Sequence, residues 1–411
     1  MRTPITNPFM PGADAVPEVW AGRVQQLTDW ASEVRPRLLA GLYVRGRTIL
    51  GEPGLGKSTL VNRIAEQARA LGDWVTPQVR IPTGTDPLKA VAAAVLRLAD
   101  HAGLAASRER RIADLLGRVR QVEVRGLSLS VDPNGGVVPH VALTELLVEV
   151  GEAAIAANQT VLIHLDEVQN ITDANALSQL LIALGDASAY RTRIMLPGGV
   201  PHERHLPIAV YLTGLPEFGE AASSRTGATF SRRFDTTVLT PIPDDDLILA
   251  LQSFVLRGWE VTGQDGGTAL VRIDDAAART IVELCQGEPF LFQLAGEKAW
   301  NAGRGDTVTR EEVLHGWGTA TGEAAAHVER ILDRLSGKER EFVEVMAHLP
   351  ERERNLTRIA QEMGYPRATS AGPFAQRLDT TRAVIQRKPA YRFQHRAIEA
   401  YLTTDWPELA S

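Results

Sequence analysis

Several common features are scarce in this sequence, and each scarcity excludes something. The 411 residues contain one cysteine, Cys285. An internal disulfide is therefore excluded, as is a zinc site built from several thiolates, which fits a reducing cytoplasm. No unbroken apolar run approaches the roughly 18 residues that a spanning helix needs. The clearest runs, such as Val161 to Leu165, are strand-sized. Residues 1 to 13 are rich in Pro, Thr and Asn and lack the charged-then-apolar order of a secretory leader. Neither charge sign dominates: 44 Lys and Arg stand against 50 Asp and Glu, a net charge of -6. A polycationic nucleic-acid coat is excluded, although a local basic face is not. There is no internal repeat and no low-complexity tract. The expectation is a soluble cytoplasmic protein with no membrane partner.

What is present is ordinary globular material. Hydrophobic residues make up 44% and charged residues 23% of the chain, enough to bury a large core, and the length suggests two to three domains. After an extended arm over 1–19, apolar spacing predicts a helix over Arg23 to Val34, ended by Pro36. Strands are expected at Thr48–Leu50, Trp74–Ile81, Val161–Leu165, Ile208–Leu212 and Thr236–Leu239. Helices fall between them at Ser58–Leu71, Asp86–Ala102, Ala142–Ala157 and Asp173–Ala189. This alternation predicts an α/β fold with a parallel sheet covered on both faces. Residues 106–140, first arginine-rich and then broken at Asp132-Pro133-Asn134-Gly135-Gly136, read as an insertion. After Pro241 the strands stop, and a small all-helical domain is expected over 242–321.

Two motifs carry chemistry. Gly51-Glu52-Pro53-Gly54-Leu55-Gly56-Lys57-Ser58 fits G-x-x-x-x-G-K-[ST] without a mismatch, between a strand and a helix. Glycines there let backbone N–H groups turn inward around a phosphate, and the following helix points its positive end at the same anion. In that pattern Lys57 reaches the β/γ oxygens, Ser58 offers a hydroxyl to Mg²⁺, and Thr59 follows on the helix. The second motif is the apolar strand ending in Asp166-Glu167. Asp166 is placed to hold Mg²⁺ through water, and Glu167 to polarise a water for in-line attack on a γ-phosphate. The expected ligands are thus ATP or ADP and Mg²⁺. His164 reads as a packed, hydrogen-bonded strand residue, although alternation puts it on the same face as Asp166. Thr213, at the end of the Ile208 strand, is a candidate γ-phosphate sensor or water-fixing residue, with a turn cap as its other reading.

Taken together, these residues resemble the AAA+ P-loop ATPases, in the branch of the origin-recognition, archaeal-type and STAND ATPases. Val16-Pro17-Glu18-Val19-Trp20-Ala21-Gly22-Arg23 looks like that branch's N-terminal box, which implies that Gly22 and Arg23 lie near an adenine. Thr213-Gly214-Leu215-Pro216 looks like its sensor-1 strand end, and Gln286-Gly287-Glu288-Pro289-Phe290 like its "G-x-P" lid motif, which brings Pro289 to the nucleotide. Ser231-Arg232-Arg233-Phe234 resembles its arginine-finger segment, which implies a homo-oligomer with Arg232 or Arg233 acting in trans, against the alternative of a surface salt-bridge pair. The sequence departs from the pattern at Phe290, where a sensor-2 arginine is often found. The separation of Lys57 from Asp166 is also longer than a minimal module, because of the insertion.

The implied organisation is an arm (1–19), a P-loop core (20–241), a helical lid (242–321) and a winged-helix domain (322–411). In the last of these, residues 351–400 hold ten Lys and Arg against five Asp and Glu. Arg367, Arg377, Arg382, Arg387 and Lys388 fall on or beside the expected recognition helix and wing. They suit either DNA phosphates or a protein partner. The expected activity is ATP hydrolysis by a nucleotide-driven switch or motor, in a defence, mobile-element or replication setting. The alternatives are a non-hydrolysing, ATP-gated DNA-binding regulator or scaffold, and a small-molecule kinase, against which Glu167 and the helical lid respectively speak.

Overall fold

The computed structural model describes residues 2–12, 15–101, 139–195, 199–226, 228–262, 267–387 and 390–408. All but the end of the expected insertion, and the Lys388-Pro389 turn, lie outside them. The chain divides into two compact units, one of Val24–Leu50 and Leu60–Thr237, the other of Met1–Arg23, Gly51–Thr59 and Val238–Ser411.

The first unit opens with helix α1 (Val24–Asp29), a π-turn (Trp30–Val34) and α2 (Arg35–Leu39). The expected end at Pro36 does not occur. The wider π-turn lets the Arg35 N–H bond back to the Trp30 carbonyl, and Pro36 then sits in the first turn of α2, where a missing N–H costs nothing. Strand β1 (Gly46–Leu50) leads to the glycine loop and α3 (Lys57–Ala70). The expected strand at Trp74–Ile81 forms as two pieces, β2 (Trp74–Val75) and β3 (Val79–Arg80), interrupted at Pro77, which cannot donate to a ladder. Helices α4 (Pro87–His101) and α5 (Pro139–Ala157) precede β4 (Val161–Asp166). Asp86 caps α4, its Oδ1 accepting from the N–H groups of Leu88 and Lys89 at 3.0 and 3.3 Å.

After α6 (Ala174–Ala189) comes an antiparallel hairpin that periodicity did not announce, β5 (Arg191–Met195) with β6 (Pro201–His205). Then follow β7 (Ile208–Gly214), α7 (Phe218–Thr226), α8 (Ala228–Arg233) and β8 (Phe234–Val238). The main sheet runs β2-β4-β7-β1-β8, with β3 also on β4. The registers between β1 and β7, β4 and β7, and β4 and both β2 and β3 are parallel. Every residue of β4 and β7 is buried, as continuous apolar runs in a covered parallel sheet should be. Their side chains pack with Val91, Val95, Leu146, Val150, Leu180 and Leu184 of the flanking helices.

The second unit has its own core, and it is not all helical. Helix α9 (Asp244–Leu256) is followed by β9 (Trp259–Thr262) and β10 (Thr268–Ile273). With β11 (Thr307–Val308) these make a three-stranded sheet, which corrects the expectation that strands end at Pro241. The signal was present in the alternation of Trp259-Glu260-Val261-Thr262 and in the β-branched residues of 268–273. Helices α10 (Asp275–Cys285), α11 (Pro289–Ala302), α12 (Arg310–Gly318) and α13 (Thr321–Leu332) complete this part.

The N-terminal arm is built into the same core. Arg2 is buried against Glu312, Phe9 is buried between Phe254 and Phe292, and the Gln293 side chain bonds both Met10 N–H and the Val19 carbonyl. The chain then continues through α14 (Gly337–His348), α15 (Leu356–Glu362), α16 (Gly372–Thr380), a hairpin of β12 (Ile385–Gln386) and β13 (Arg392–Phe393), and α17 (Arg396–Thr403). Helix α16 carries Pro373 in its first turn, where a missing N–H costs nothing. Trp406 Nε1 donates to the Leu284 carbonyl of α10, and Trp317 Nε1, in α12, donates to the Pro407 carbonyl. Among the described residues no helix is long and apolar enough to cross a membrane.

Candidate functional site

The expected site residues fall in both units. In the second unit, the loop Gly51–Gly56 runs into the first turn of α3 at Lys57. Gly54 and Gly56 take φ of +84° and +78°, the left-handed region that glycine enters without a steric penalty. Such alternation turns successive N–H groups to one side and makes an anion nest at a helix start. A Cβ at Gly56 would meet only open space, whereas one at Gly54 would lie 2.4 Å from His327 Cε1. Lys57 Nζ donates to the carbonyls of Gly51 and Glu52 at 2.9 and 3.0 Å, a cation held across the loop it serves.

The loop is fastened by residues far away in sequence. Arg23, itself at φ +60°, donates from Nη2 to the Leu55 carbonyl at 3.1 Å and to the Thr240 carbonyl at 2.8 Å. Burial lowers the Arg23 pKa to about 10, although Glu288 and Asp246 pull it back. Pro289 opens α11, and the next N–H, that of Phe290, donates to the Gly54 carbonyl at 3.2 Å. Phe290 therefore meets the loop, but with its backbone and an aromatic ring that stacks on His327 at 5.3 Å. The carboxylate of Glu52 is bound by the guanidinium of Arg334.

Beside this loop lies a buried cluster that the sequence did not announce. Glu288, wholly buried, accepts from His395 Nδ1 at 2.7 Å and lies 3.5 Å from His327 Nε2. Burial alone would raise the Glu288 carboxyl. The two imidazoles outweigh it, His395 by charge first, and hold it at about 2. His395 is raised in turn: burial disfavours its cation, but Glu288 and, more weakly, Glu52 favour it. Glu52 and Glu288 lie within the quoted motifs, but nothing local marked His327, Arg334 or His395, and the five converge only through the fold.

In the first unit, Asp166 and Glu167 stand at the carboxyl end of β4. Asp166 is 1% exposed, and its carboxylate is fully engaged. Gln78 Nε2 donates to it at 2.6 Å, the Thr213 hydroxyl at 2.5 Å and the Glu167 N–H at 2.9 Å, with Arg80 Nε at 3.9 Å. Arg80 ends β3, whose register sets it opposite Asp166, and Gln78 immediately precedes that strand. Thr213 also lies 3.1 Å from His164 Nε2. Since its proton goes to Asp166, that nitrogen donates to the Thr213 oxygen. His164 is thus a support for Thr213.

Glu167 sits at φ +58°, a strained setting for a residue with a Cβ. Its carboxylate is bound by the side-chain amide of Gln169, whose oxygen accepts the Leu215 N–H at 3.1 Å. Gln169 therefore links the carboxylate after β4 to the backbone after β7. Arg233 is tied to its own unit, 2.7 Å from Asp186 and 3.2 Å from the Ile182 carbonyl, whereas Arg232 is exposed. Among the described residues no group of three or more His, Cys, Asp or Glu could hold a metal. A Mg²⁺ ion would have to keep waters and phosphate oxygens as its main ligands, as that ion generally does.

In the C-terminal region several of the basic residues are in ion pairs. Arg354 meets Glu399 at 2.6 Å, Arg358 meets Glu362 at 2.7 Å, Arg377 meets the buried Glu339 at 3.1 Å, Arg387 meets Asp379 at 2.8 Å and Arg392 meets Glu351 at 2.9 Å. Arg367 is exposed and Arg382 half-buried, while Lys388 is outside the described residues.

A parallel sheet with a glycine loop after β1, a helix starting at its lysine and an acidic pair after β4 defines the P-loop fold of the AAA+ kind. No protein-family profile and no curated protein matches the chain. Solved structures do. The Walker-type ATPase of Pyrococcus abyssi superposes with a TM-score of 0.53 at 11% identity, covering 92% of this chain and 95% of that one. The ORC2 protein of Aeropyrum pernix, solved in ADPNP and ADP complexes, superposes with a TM-score of 0.51 at 18% identity, covering 95% of this chain and 96% of that one. The chain therefore shares its fold with these two proteins over nearly its full length.

Proposed function

We propose that this chain binds ATP with Mg²⁺ and hydrolyses it, as a nucleotide-driven switch or motor acting on DNA or a partner protein through its C-terminal region, which we read as a winged helix. The observation that carries the reading is the pairing of a complete phosphate loop with a carboxylate couple whose members have different environments. Asp166 is buried and bonded by several donors, as befits a metal-side ligand, and Glu167 is half-buried and held through Gln169. The likeness to nucleotide-bound ORC2 supports it.

The loop N–H groups and Lys57 would hold the phosphates, with Glu52, Pro53 and Leu55 shaping the turn and Thr59 continuing the helix. Gly22, Arg23 and Pro289 would border the base. Ser58 and Asp166 would hold Mg²⁺, which supplies charge neutralisation on the phosphate oxygens. Glu167 would take the proton of the attacking water, and Thr213 would keep Asp166 aimed. Of the two arginines, Arg232 is the one we assign to a neighbouring subunit's nucleotide, because Arg233 is spent on Asp186.

The test is nucleotide binding and phosphate release by the full chain, with and without duplex DNA. Lys57→Ala should abolish binding, while Glu167→Gln should bind ATP but lose about a hundredfold or more in turnover. Binding indifferent to Lys57, or turnover indifferent to Glu167, would overturn the proposal. Stimulation by DNA assigns the C-terminal partner as DNA, and indifference to DNA assigns it as protein.

A further inference from the structure

Glu52 presents a problem that the phosphate-loop motif does not explain. Its side chain is 2% exposed, inside a loop whose task is to gather the negative charge of a polyphosphate. A buried carboxylate there opposes the ligand unless a cation cancels it. The cation is Arg334, whose side chain is 21% exposed and whose guanidinium binds the Glu52 carboxylate.

Arg334 does not belong to the P-loop motif or to the lid motif. It sits between α13, which ends at Leu332, and α14, which begins at Gly337. The backbone there is fixed, with Arg334 N–H bonded to the Ile331 carbonyl at 3.3 Å and Leu335 N–H to the Leu332 carbonyl at 3.0 Å. At the other end, the Glu52 carbonyl closes the loop by accepting from Leu55 N–H at 3.4 Å and from Lys57 Nζ at 3.0 Å. The pair thus joins the inter-helix connection to the residue around which the loop turns. Arg334 arrives from the connection that follows α13.

We propose that Arg334 is a positioning residue for nucleotide binding that acts through Glu52, cancelling the carboxylate that the phosphate loop buries so that the loop accepts a polyphosphate. This rests on the reading of 51–58 as a nucleotide site. Because the charge of Glu52 lies in the loop itself, the effect falls on ATP and ADP alike and on binding rather than on the hydrolytic step.

The experiment is a double-mutant cycle on the full chain, read as direct binding of ATP and of ADP. Arg334→Gln should weaken both nucleotides by about tenfold or more, because it leaves a buried charge beside the phosphates. Glu52→Gln supplies the other single corner of the cycle, and Glu52→Gln/Arg334→Gln should bind about fivefold or more tightly than Arg334→Gln alone, since neither charge remains. Arg334→Lys should restore part of the loss, and kcat at saturating ATP should stay near that of the unaltered chain. A double variant as weak as Arg334→Gln overturns the proposal and makes Arg334 a direct phosphate contact. An Arg334→Gln variant with unchanged affinity overturns it as well. If Arg334→Gln does not fold, the charge-free double variant and Arg334→Lys decide by the same affinities. Failure of the unaltered chain to bind any nucleotide sinks the functional reading together with this inference, whereas a flat cycle on a chain that binds sinks the inference alone.

Discussion

His395 Nδ1 meets the Glu288 carboxylate at 2.7 Å, with both side chains 1% exposed or less. This contact joins the start of α11 to the start of α17, so its ionisation bears on how firmly those two helices stay attached. Glu288 has its folded pKa depressed, from 4.5 to about 2. Its contribution is present above 4.5 and is lost as pH falls towards 2. His395 has its folded pKa raised above 6.5. Its contribution is complete below 6.5 and is lost as pH rises through the folded value. Both contributions are complete only between pH 4.5 and 6.5. The expected outcome is a urea midpoint that declines on both sides of that window, with both limbs flattened in Glu288→Gln, measured by unfolding at a series of pH values.

Gly54→Ala should be more harmful than its size suggests. The backbone there is left-handed, at φ +84°, which costs an alanine about 1 kcal/mol. The new methyl would also stand 2.4 Å from His327 Cε1. Gly56→Ala carries comparable strain, φ +78°, but meets no atom within 4 Å. Thermal denaturation should therefore rank Gly54→Ala well below Gly56→Ala in stability.

Gln169→Ala should slow turnover while leaving nucleotide affinity alone. The glutamine touches Glu167 and Leu215, and both contacts lie in the first unit. Removing it frees a carboxylate whose aim matters only for the chemical step, and we expect kcat to fall about tenfold or more. A matching loss of ATP affinity would show that Gln169 instead supports the fold of the binding loop.

Phe9→Ala tests the arm. The ring is 4% exposed, its centroid 5.7 Å from that of Phe254 and 6.1 Å from that of Phe292. Emptying that space should cost about 3 kcal/mol of the second unit's stability, visible as a shifted denaturant midpoint with little change in the spectrum of the first unit. An unchanged midpoint would mean that the arm is only laid on the lid.

Contiguity decided what could be read in advance. Gly51 to Ser58, Asp166 and Glu167 were legible because their chemistry is written in adjacent residues, and because a buried strand or an amphipathic helix frames each of them. Gln78 and Arg80 were not, since the contacts to Asp166 depend on a strand broken at Pro77 and on cross-strand register. Arg334, His327 and His395 were invisible for a stronger reason: nothing in their neighbours marks them, and only the packing of α13, α14 and α17 brings them to Glu52 and Glu288. The sheet of β9, β10 and β11 escaped because its strands are set among helices. Pro36 misled because a π-turn, which propensity does not foresee, supplied the room for it.

The solitary thiol offers a clock. Cys285 closes α10 with its Sγ 3.3 Å from the Val282 carbonyl, fully buried, and burial pushes its pKa up to about 12. An alkylating reagent reacts with thiolate, so the folded lid should be inert and the labelling rate should count openings of the segment that leads into Gln286, Gly287 and Glu288. With one sulfhydryl in the whole chain, each alkylated molecule records one such opening. The frequency of that event, with and without nucleotide, can be timed by mass alone on the unaltered protein.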